Sequence, residues 1–325
     1  MITQTDLHAA MARAALAPTV HNTQPARWRS DEAGLTLACD LAATLPSGDP
    51  LGRDAGLSCG AVAEAMVLAL AARGQGVQVT DLWAQGDRAS IPGHRIAARL
   101  DLTGPVATDP LAAMLERRFT WRGRFDPAPA ALFGWGRADA VLVTDPGGKG
   151  WLAALGDDAG LAVMRDPALR HELLHWMRLS PRHPRHAHDG LSRAAMGFGA
   201  LEALSARLAL GPLWPLLDRL RLTRPLTAEA TATTSSAVIA CFHRPADESP
   251  LSSGRAYLRL CLEAAHLGLA GWPLAALSDT AATNAAVCAR YGIGPDRRLI
   301  QVIRFGKPTG PMPPRARRPA AELLC

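Results

Sequence analysis

Two apolar segments, GAVAEAMVLALAARG (60–74) and GRAYLRLCLEAAHLG (254–268), are each bracketed by glycines at the same spacing. Apolar residues at helical intervals predict a core helix in each, and a closing glycine stops a helix by entering the left-handed conformation. A short strand-like run follows each helix. This similarity is consistent with a duplicated unit or with two unrelated core helices, and alone it does not choose between them. Apolar residues make up 48% and charged residues 20% of the 325, enough for a packed core and too little charge for a disordered chain.

Around these helices the pattern predicts mixed structure. Thr5 or Asp6 caps a first helix that runs to Leu16 and ends before Pro18. A polar loop follows, then a hairpin over 28–39 about a turn at 31–34. Residues 54–73 form the first long helix, 77–83 and 95–102 are strands, and 110–119 is helical. A strand is expected at 140–144, with helices over 151–164 and 167–179. Residues 180–226 are rich in Pro, His, Arg and Leu without a strand signal, and read as a helical insertion or lid. A strand (235–242), helices at 254–267 and 283–291, and a strand (299–305) complete the pattern before an extended Pro/Arg-rich tail. Without a regular βαβ rhythm, the fold class is α+β.

The net charge of +6, from 35 Lys+Arg against 29 Asp+Glu, is carried almost wholly by arginine. Arginine holds phosphate in a bidentate fork, so an anionic small molecule fits better than nucleic acid at so modest an excess. The six cysteines are scattered without a Cys-x-x-Cys pair, which argues for reduced thiols. No basic start followed by an apolar core marks a secretory leader, and the apolar run 61–72, broken by Glu64, is too short to span a bilayer. A cytoplasmic protein without a membrane partner is expected.

Two clusters carry chemistry. Thr19, His21, Asn22, Thr23 and Gln24, closed by Pro25, crowd short donors and acceptors between a helix and a strand. Such a loop grips a polar ligand or caps its own turn. Arg118, Thr120 and Arg122 alternate, so an extended backbone projects them to one side as a phosphate grip, unless they form a solvated charge run. A third motif, His171-Glu172-Leu173-Leu174-His175, matches the zinc pattern H-E-x-x-H, with His183, His186 and His188 beyond it. It lacks the Gly-x-x-His continuation, and the next Glu is Glu202. A metal-free chain is expected, with a zinc hydrolase as a remote alternative.

The first two clusters also carry a resemblance. APTVHNTQPARW (17–28) resembles the Ala-Pro-Ser-x-x-Asn-x-Gln-Pro-Trp loop of the nitroreductase superfamily, and RFTWR (118–122) resembles its Arg-x-Ser-x-Arg phosphate motif. The motif order is similar to that of the tandem, Acg-like branch. LSCGAVAEAMVLAL (57–70), RRFTWRGRFDPAP (117–129), SGRAYLRLCLEAAHLGLAGWPL (253–274) and the tail from Val302 agree with it. The resemblance implies a nitroreductase-like fold and an FMN cofactor. Ordinary members are homodimers with a site built from both subunits. Here the first half holds the Asn/Gln loop without a phosphate motif. The second holds the phosphate motif, while ALFGWGRAD (131–139) supplies no Asn-x-Gln-Pro.

Complementary halves imply an internal pseudo-dimer with one composite site, for which a monomer suffices. The halves would be 1–108 and 109–325, with a lid at about 180–226. Arg118, Thr120 and Arg122, joined by Arg315 and Arg317, would hold the FMN phosphate. Thr19, Asn22 and Gln24 would approach the flavin from the other half, with His21 in the same loop. Pro273, Leu274 and Ala275 would lay backbone amides along the flavin edge near N5. Ala26 replaces the usual Trp, with Trp28 close by, and Ala275 replaces a frequent Glu. The implied activity is NAD(P)H-linked hydride transfer to a small organic acceptor such as a nitroarene or quinone. The alternative is an FMN-sequestering protein whose lid, with Trp176, Met177, Phe198 and Trp214, closes over the cofactor.

Overall fold

Asp31 accepts from the backbone N–H groups of Ala33 and Gly34, and so turns the first hairpin of a chain whose strands make two four-stranded sheets. The computed structural model describes residues 3–127, 132 and 135–325. Residues 128–131, 133 and 134, which include parts of the motif stretches 117–129 and 131–139, lie outside the described residues.

Helix α1 (Gln4–Ala14) starts one turn earlier than the pattern predicts. Its cap is Thr3, and Asp6 closes a reciprocal capping box as the third helical residue. Strands β1 (Ala26–Ser30) and β2 (Gly34–Asp40) form the hairpin, followed by α2 (Arg53–Ala71), β3 (Gln75–Asp81) and β4 (His94–Pro105). The expected helix over 110–119 is only a 3-10 turn, Pro110–Met114, capped by Asp109. The chain leaves it because Thr120 bridges Gly271 in the second sheet.

Strand β5 (Ala140–Val143) opens the second sheet, and α3 (Pro146–Arg165) and α4 (Pro167–Trp176) follow. The helix expected over 167–179 stops at Trp176, and the two-residue strand β6 (Met177–Arg178) pairs in parallel with β7 (Leu191–Ser192) of the insertion, which the sequence does not announce. Short helices α5 (Arg193–Met196), α6 (Ala200–Leu210), α7 (Trp214–Arg219), α8 (Thr223–Thr227) and α9 (Ala230–Thr234) lead to β8 (Val238–Pro245). Then come α10 (Pro250–His266), β9 (Ala270–Pro273), α11 (Ala276–Asp279), α12 (Ala281–Tyr291) and β10 (Arg297–Gly306).

The sheets are antiparallel throughout and run β1-β2-β4-β3 and β5-β8-β10-β9. Each therefore orders its first, second, fourth and third strands, with the long helix between the second and third. Those helices, α2 and α10, meet at Gly60 and Gly254. A Cβ on Gly60 would fall on the carbonyl oxygen of Leu251, and one on Gly254 on that of Leu57. The reciprocal pairing places LSCG (57–60) against LSSG (251–254) about a local two-fold relation. Backbones this close need glycine on both sides.

Beside the crossing, Glu64 of α2 is only 3% exposed and accepts from Arg255 Nε (2.8 Å) and Arg259 Nη1 (2.7 Å) of α10. Helix α2 is long and apolar enough by composition to cross a membrane, contrary to the short run expected, but 83% of that window is buried in the fold. The tail crosses back to the first sheet, where Cys325 N–H donates to the Trp28 carbonyl at 3.0 Å.

Candidate cofactor site

Pro18 ends the approach of the first helix, and the next residues turn sharply. His21, Asn22 and Gln24 have φ of 43°, 55° and 52°, a region that residues with a Cβ seldom enter. Contacts from two distant segments hold them there. Asn22 Nδ2 donates to the carbonyls of Gly190 (3.0 Å) and Ala316 (3.1 Å), and its Oδ1 accepts from Arg317 Nη1 at 2.9 Å. Thr19 Oγ1 accepts from Gln24 N–H. Such backbone strain persists only where the surroundings over-determine it.

The arginine segment comes from beside the second sheet. Thr120 bridges Gly271 and Trp121 N–H donates to the Gly271 carbonyl, so the backbone is extended beside β9. Arg118 and Arg122 anchor through single bonds to the carbonyls of Leu16 and Ala195, both 2.8–2.9 Å. Arg315 donates to the carbonyls of Glu116 and Arg118. Arg118, Thr120 and Arg122 thereby line one cavity of about 110 Å³ with Thr19, His21 and Asn22 of the loop. Arg315 and Arg317 of the tail complete its wall.

Electrostatics define what this cavity accepts. Burial lowers the pKa of Arg118. Burial also takes Arg122 down to about 10 and, with Arg118 and Arg315 nearby, Arg317 to about 9. Among the described residues neither Arg118 nor Arg317 makes an ion pair with a carboxylate. Their Nε atoms have no hydrogen-bond partner among the described residues. Buried guanidinium groups without counter-charge are costly, and an anion with several oxygens relieves that cost.

A larger cavity of about 500 Å³ shares His21 and Arg122 with the first. It is lined by Trp272, Pro273, Leu274 and Ala275, by Met177, and by Met196, Phe198 and Leu210 of the insertion. The Leu274 N–H donates to the Val302 carbonyl at 2.7 Å, so this amide cannot serve the cavity as expected. Arg304 of β10, fully buried, lies 4.0 Å from the Trp272 ring centroid, and Arg122 lies 5.4 Å from it. Glu229 faces Arg304 at 3.5 Å, and burial raises its carboxyl to about 7 against the pull of Arg304 and Arg122. Burial and then Arg122 hold His21 down at about 4, so its imidazole is neutral at pH 7. Arg304 and Glu229 are absent from the sequence-derived set. The available signal was an arginine inside the apolar strand LIQVIRFG.

Other expectations are corrected. Gln24 does not reach the main cavity, because its amide donates to the His188 carbonyl and accepts from Arg318 N–H. Trp28 is 1% exposed within the first core and does not replace the missing loop tryptophan. Of the proposed lid residues, Met177 and Phe198 line the large cavity. Trp176 packs instead on Ala43 and Leu45, and Trp214 on Leu161 and Met164. In the H-E-x-x-H stretch, Glu172 accepts from the N–H groups of Ser47 and Gly48, which commits it to a loop. Among the described residues no group of three His, Cys, Asp or Glu is placed to hold a metal.

No family model matches the chain. Two Mycobacterium tuberculosis proteins provisionally named NAD(P)H nitroreductases are similar to it. Rv3131 is 26% identical over 324 residues, covering 95% of this chain and 88% of that protein. The protein named acg is 38% identical over 74 residues, 23% of this chain and 22% of its own length. Among solved structures, a provisionally named nitroreductase from Anabaena variabilis aligns with a TM-score of 0.49 and 11% identity, over 95% of this chain and 90% of its own. The FMN and NADPH-dependent nitroreductase NfnB from a Sphingopyxis strain aligns at 0.33 and 18%, over 62% and 89%. Over nearly its whole length the chain is thus similar to a protein named as an NAD(P)H nitroreductase.

Proposed function

We propose that the chain binds one FMN across its two sheets and uses it as an NAD(P)H-dependent oxidoreductase. The carrying observation is the pair Arg118, buried, and Arg317, half-buried, whose buried Nε atoms have no hydrogen-bond partner among the described residues and which line a cavity with no carboxylate among its described residues. With Arg122, Arg315 and Thr120 they supply the forks and hydroxyl a phosphate monoester requires. The isoalloxazine would occupy the adjoining larger cavity, along the stretch from Trp272 to Ala275. In the Acg-like reading the site joins a first half, 1–108, to a second, 109–325.

FMN when bound supplies hydride acceptance and donation at its ring, and the protein supplies position and charge. Arg122 sets a positive charge where the two cavities meet, which favours an anionic ring. Neutral His21 fills the junction without adding charge. Glu229 holds a proton on its carboxyl for part of the population at pH 7, on the wall of the cavity that would take the acceptor. Asn22 acts by position, since its amide ties the loop to insertion and tail.

The test is the visible spectrum and the flavin content of purified protein. The reading expects a yellow protein with one FMN per chain, reduced by NADPH or NADH and reoxidised by a nitroarene or quinone. A colourless protein that cannot be reconstituted would overturn it. A second reading, sequestration of FMN, is favoured by the insertion's contribution to the cavity wall. It expects bound FMN that dithionite reduces and NAD(P)H does not.

A further inference from the structure

Twelve large hydrophobic residues are exposed among the described residues, and eight of them are leucines between 201 and 226. Leu201, Leu204 and Leu208 lie three and four positions apart on α6, so they share one face, and they are 43–82% exposed. Leu213, Leu216 and Leu220 continue the surface around α7. Leu222 and Leu226 extend it through α8, and Leu226 also lines the large cavity. The inward side is already satisfied, with Ala203 buried and Leu210 in the cavity wall. An apolar area this concentrated on a folded chain marks an interaction surface.

The charges set among these leucines indicate the occupant. Arg207, Arg219 and Arg221 are exposed and make no ion pair among the described residues. Of the acidic residues of this stretch, Asp218 is paired with Arg165 and accepts from Thr223, and Glu202 caps the start of α6 through Gly199 N–H, so the three free arginines outnumber it. Leucines flanked by free arginines suit an interface of apolar chains beneath anionic headgroups. A second copy presenting the same face would bring arginines against arginines. The leucines are spread over three short helices rather than one, and a lipid surface needs no single stripe.

We infer that the outer face of α6, α7 and α8 docks on an anionic bilayer surface. It departs from the soluble, membrane-free behaviour read from the sequence and is independent of whether the cavity holds FMN.

Flotation of the purified full chain with phosphatidylglycerol/phosphatidylcholine vesicles, and with phosphatidylcholine alone, tests it. Co-flotation is expected with the anionic vesicles only, falling as salt screens the arginines. The triple variant Leu204→Ser, Leu216→Ser, Leu220→Ser should bind at least about tenfold more weakly. Arg219→Gln and Arg221→Gln should each weaken binding about fivefold. Leu51→Ser, an equally exposed leucine elsewhere, should change nothing. Since all these side chains are exposed, circular dichroism and melting should match wild type. Absence of flotation with anionic vesicles overturns the inference. So does a dimer in light scattering that the leucine variant dissociates, since the occupant would then be a second copy.

Discussion

Arg317 donates from Nη1 to Oδ1 of Asn22 at 2.9 Å, joining the end of the chain to the loop after its first helix. Through the two donors of Asn22 the same side chain also holds Gly190 of the insertion and Ala316 of the tail. Asn22→Ala removes all three bonds and keeps the unfavourable positive φ. Trypsin should then cleave the tail after Arg315 and Arg317 much faster than in wild type, and FMN affinity should fall about ten- to a hundredfold, as for one or two lost charge-assisted bonds. Asn22→Asp keeps the acceptor for Arg317 and should be intermediate. Unchanged tail proteolysis in Asn22→Ala would remove this residue from the tether.

Arg118 and Arg317 predict opposite effects with and without ligand. Removing a buried, uncompensated guanidinium relieves the apoprotein, while loss of a phosphate contact weakens the complex. Arg118→Met should melt at or above the wild-type temperature without FMN. Its stabilisation by added FMN should shrink, with affinity about ten- to a hundredfold lower. Differential scanning fluorimetry with and without FMN reads both. A large loss of apo stability would show the arginine to be a structural pillar rather than an anion grip.

Glu229 sets a pH signature. Its carboxyl lies at about 7 in the fold against an ordinary 4.5, so between these values the native chain keeps a proton that the unfolded chain has released. Stability from this group therefore falls as pH rises from about 4.5 to 7 and is level above. Glu229→Gln cannot titrate. Its stability relative to wild type should improve across that window and stay constant beyond it, as denaturation at several pH values would show. His21, held at about 4 against 6.5, runs the other way and loses stability as pH falls from 6.5 to 4. It is common to both proteins and cancels in the difference.

Gly60→Ala and Gly254→Ala should each destabilise the fold by about 1–3 kcal/mol, the usual range for overpacking, because the new methyl meets backbone rather than a movable side chain. Urea midpoints give the value. A neutral Gly254→Ala would mean that α2 and α10 separate at little cost.

Much of the site was legible because it rests on short, polar, turn-bound patterns. Arg118, Thr120 and Arg122 read as alternating because the segment is extended, and extended backbone is what Thr120 adopts beside Gly271. Long-range geometry was not legible. Gln24 looks like its loop neighbours, yet its left-handed backbone directs its amide to His188 and Arg318. Glu229 becomes a titrating wall residue only when the insertion folds it toward Arg304. The paired sheets are hidden for a related reason. Strand β9 has four residues, too few for a period, although its equivalent β3 has seven. The leucine face of α6 escaped because the eye for a core assigns leucines inward, and there both faces of the helix carry them.

The crossing at Gly60 and Gly254 also bears on how such a chain can change over generations. In a dimer of identical subunits every mutation arises twice, once on each side of the axis, and a change useful on one side must be tolerated on the other. Here the two sheets are encoded in separate stretches of one chain, so a change on one side need not be tolerated on the other. Residues 146–234 accordingly lie between the first two strands of one sheet, while the matching position in the other is a tight hairpin at Asp31. The helix pair at the crossing, by contrast, needs glycine on both sides.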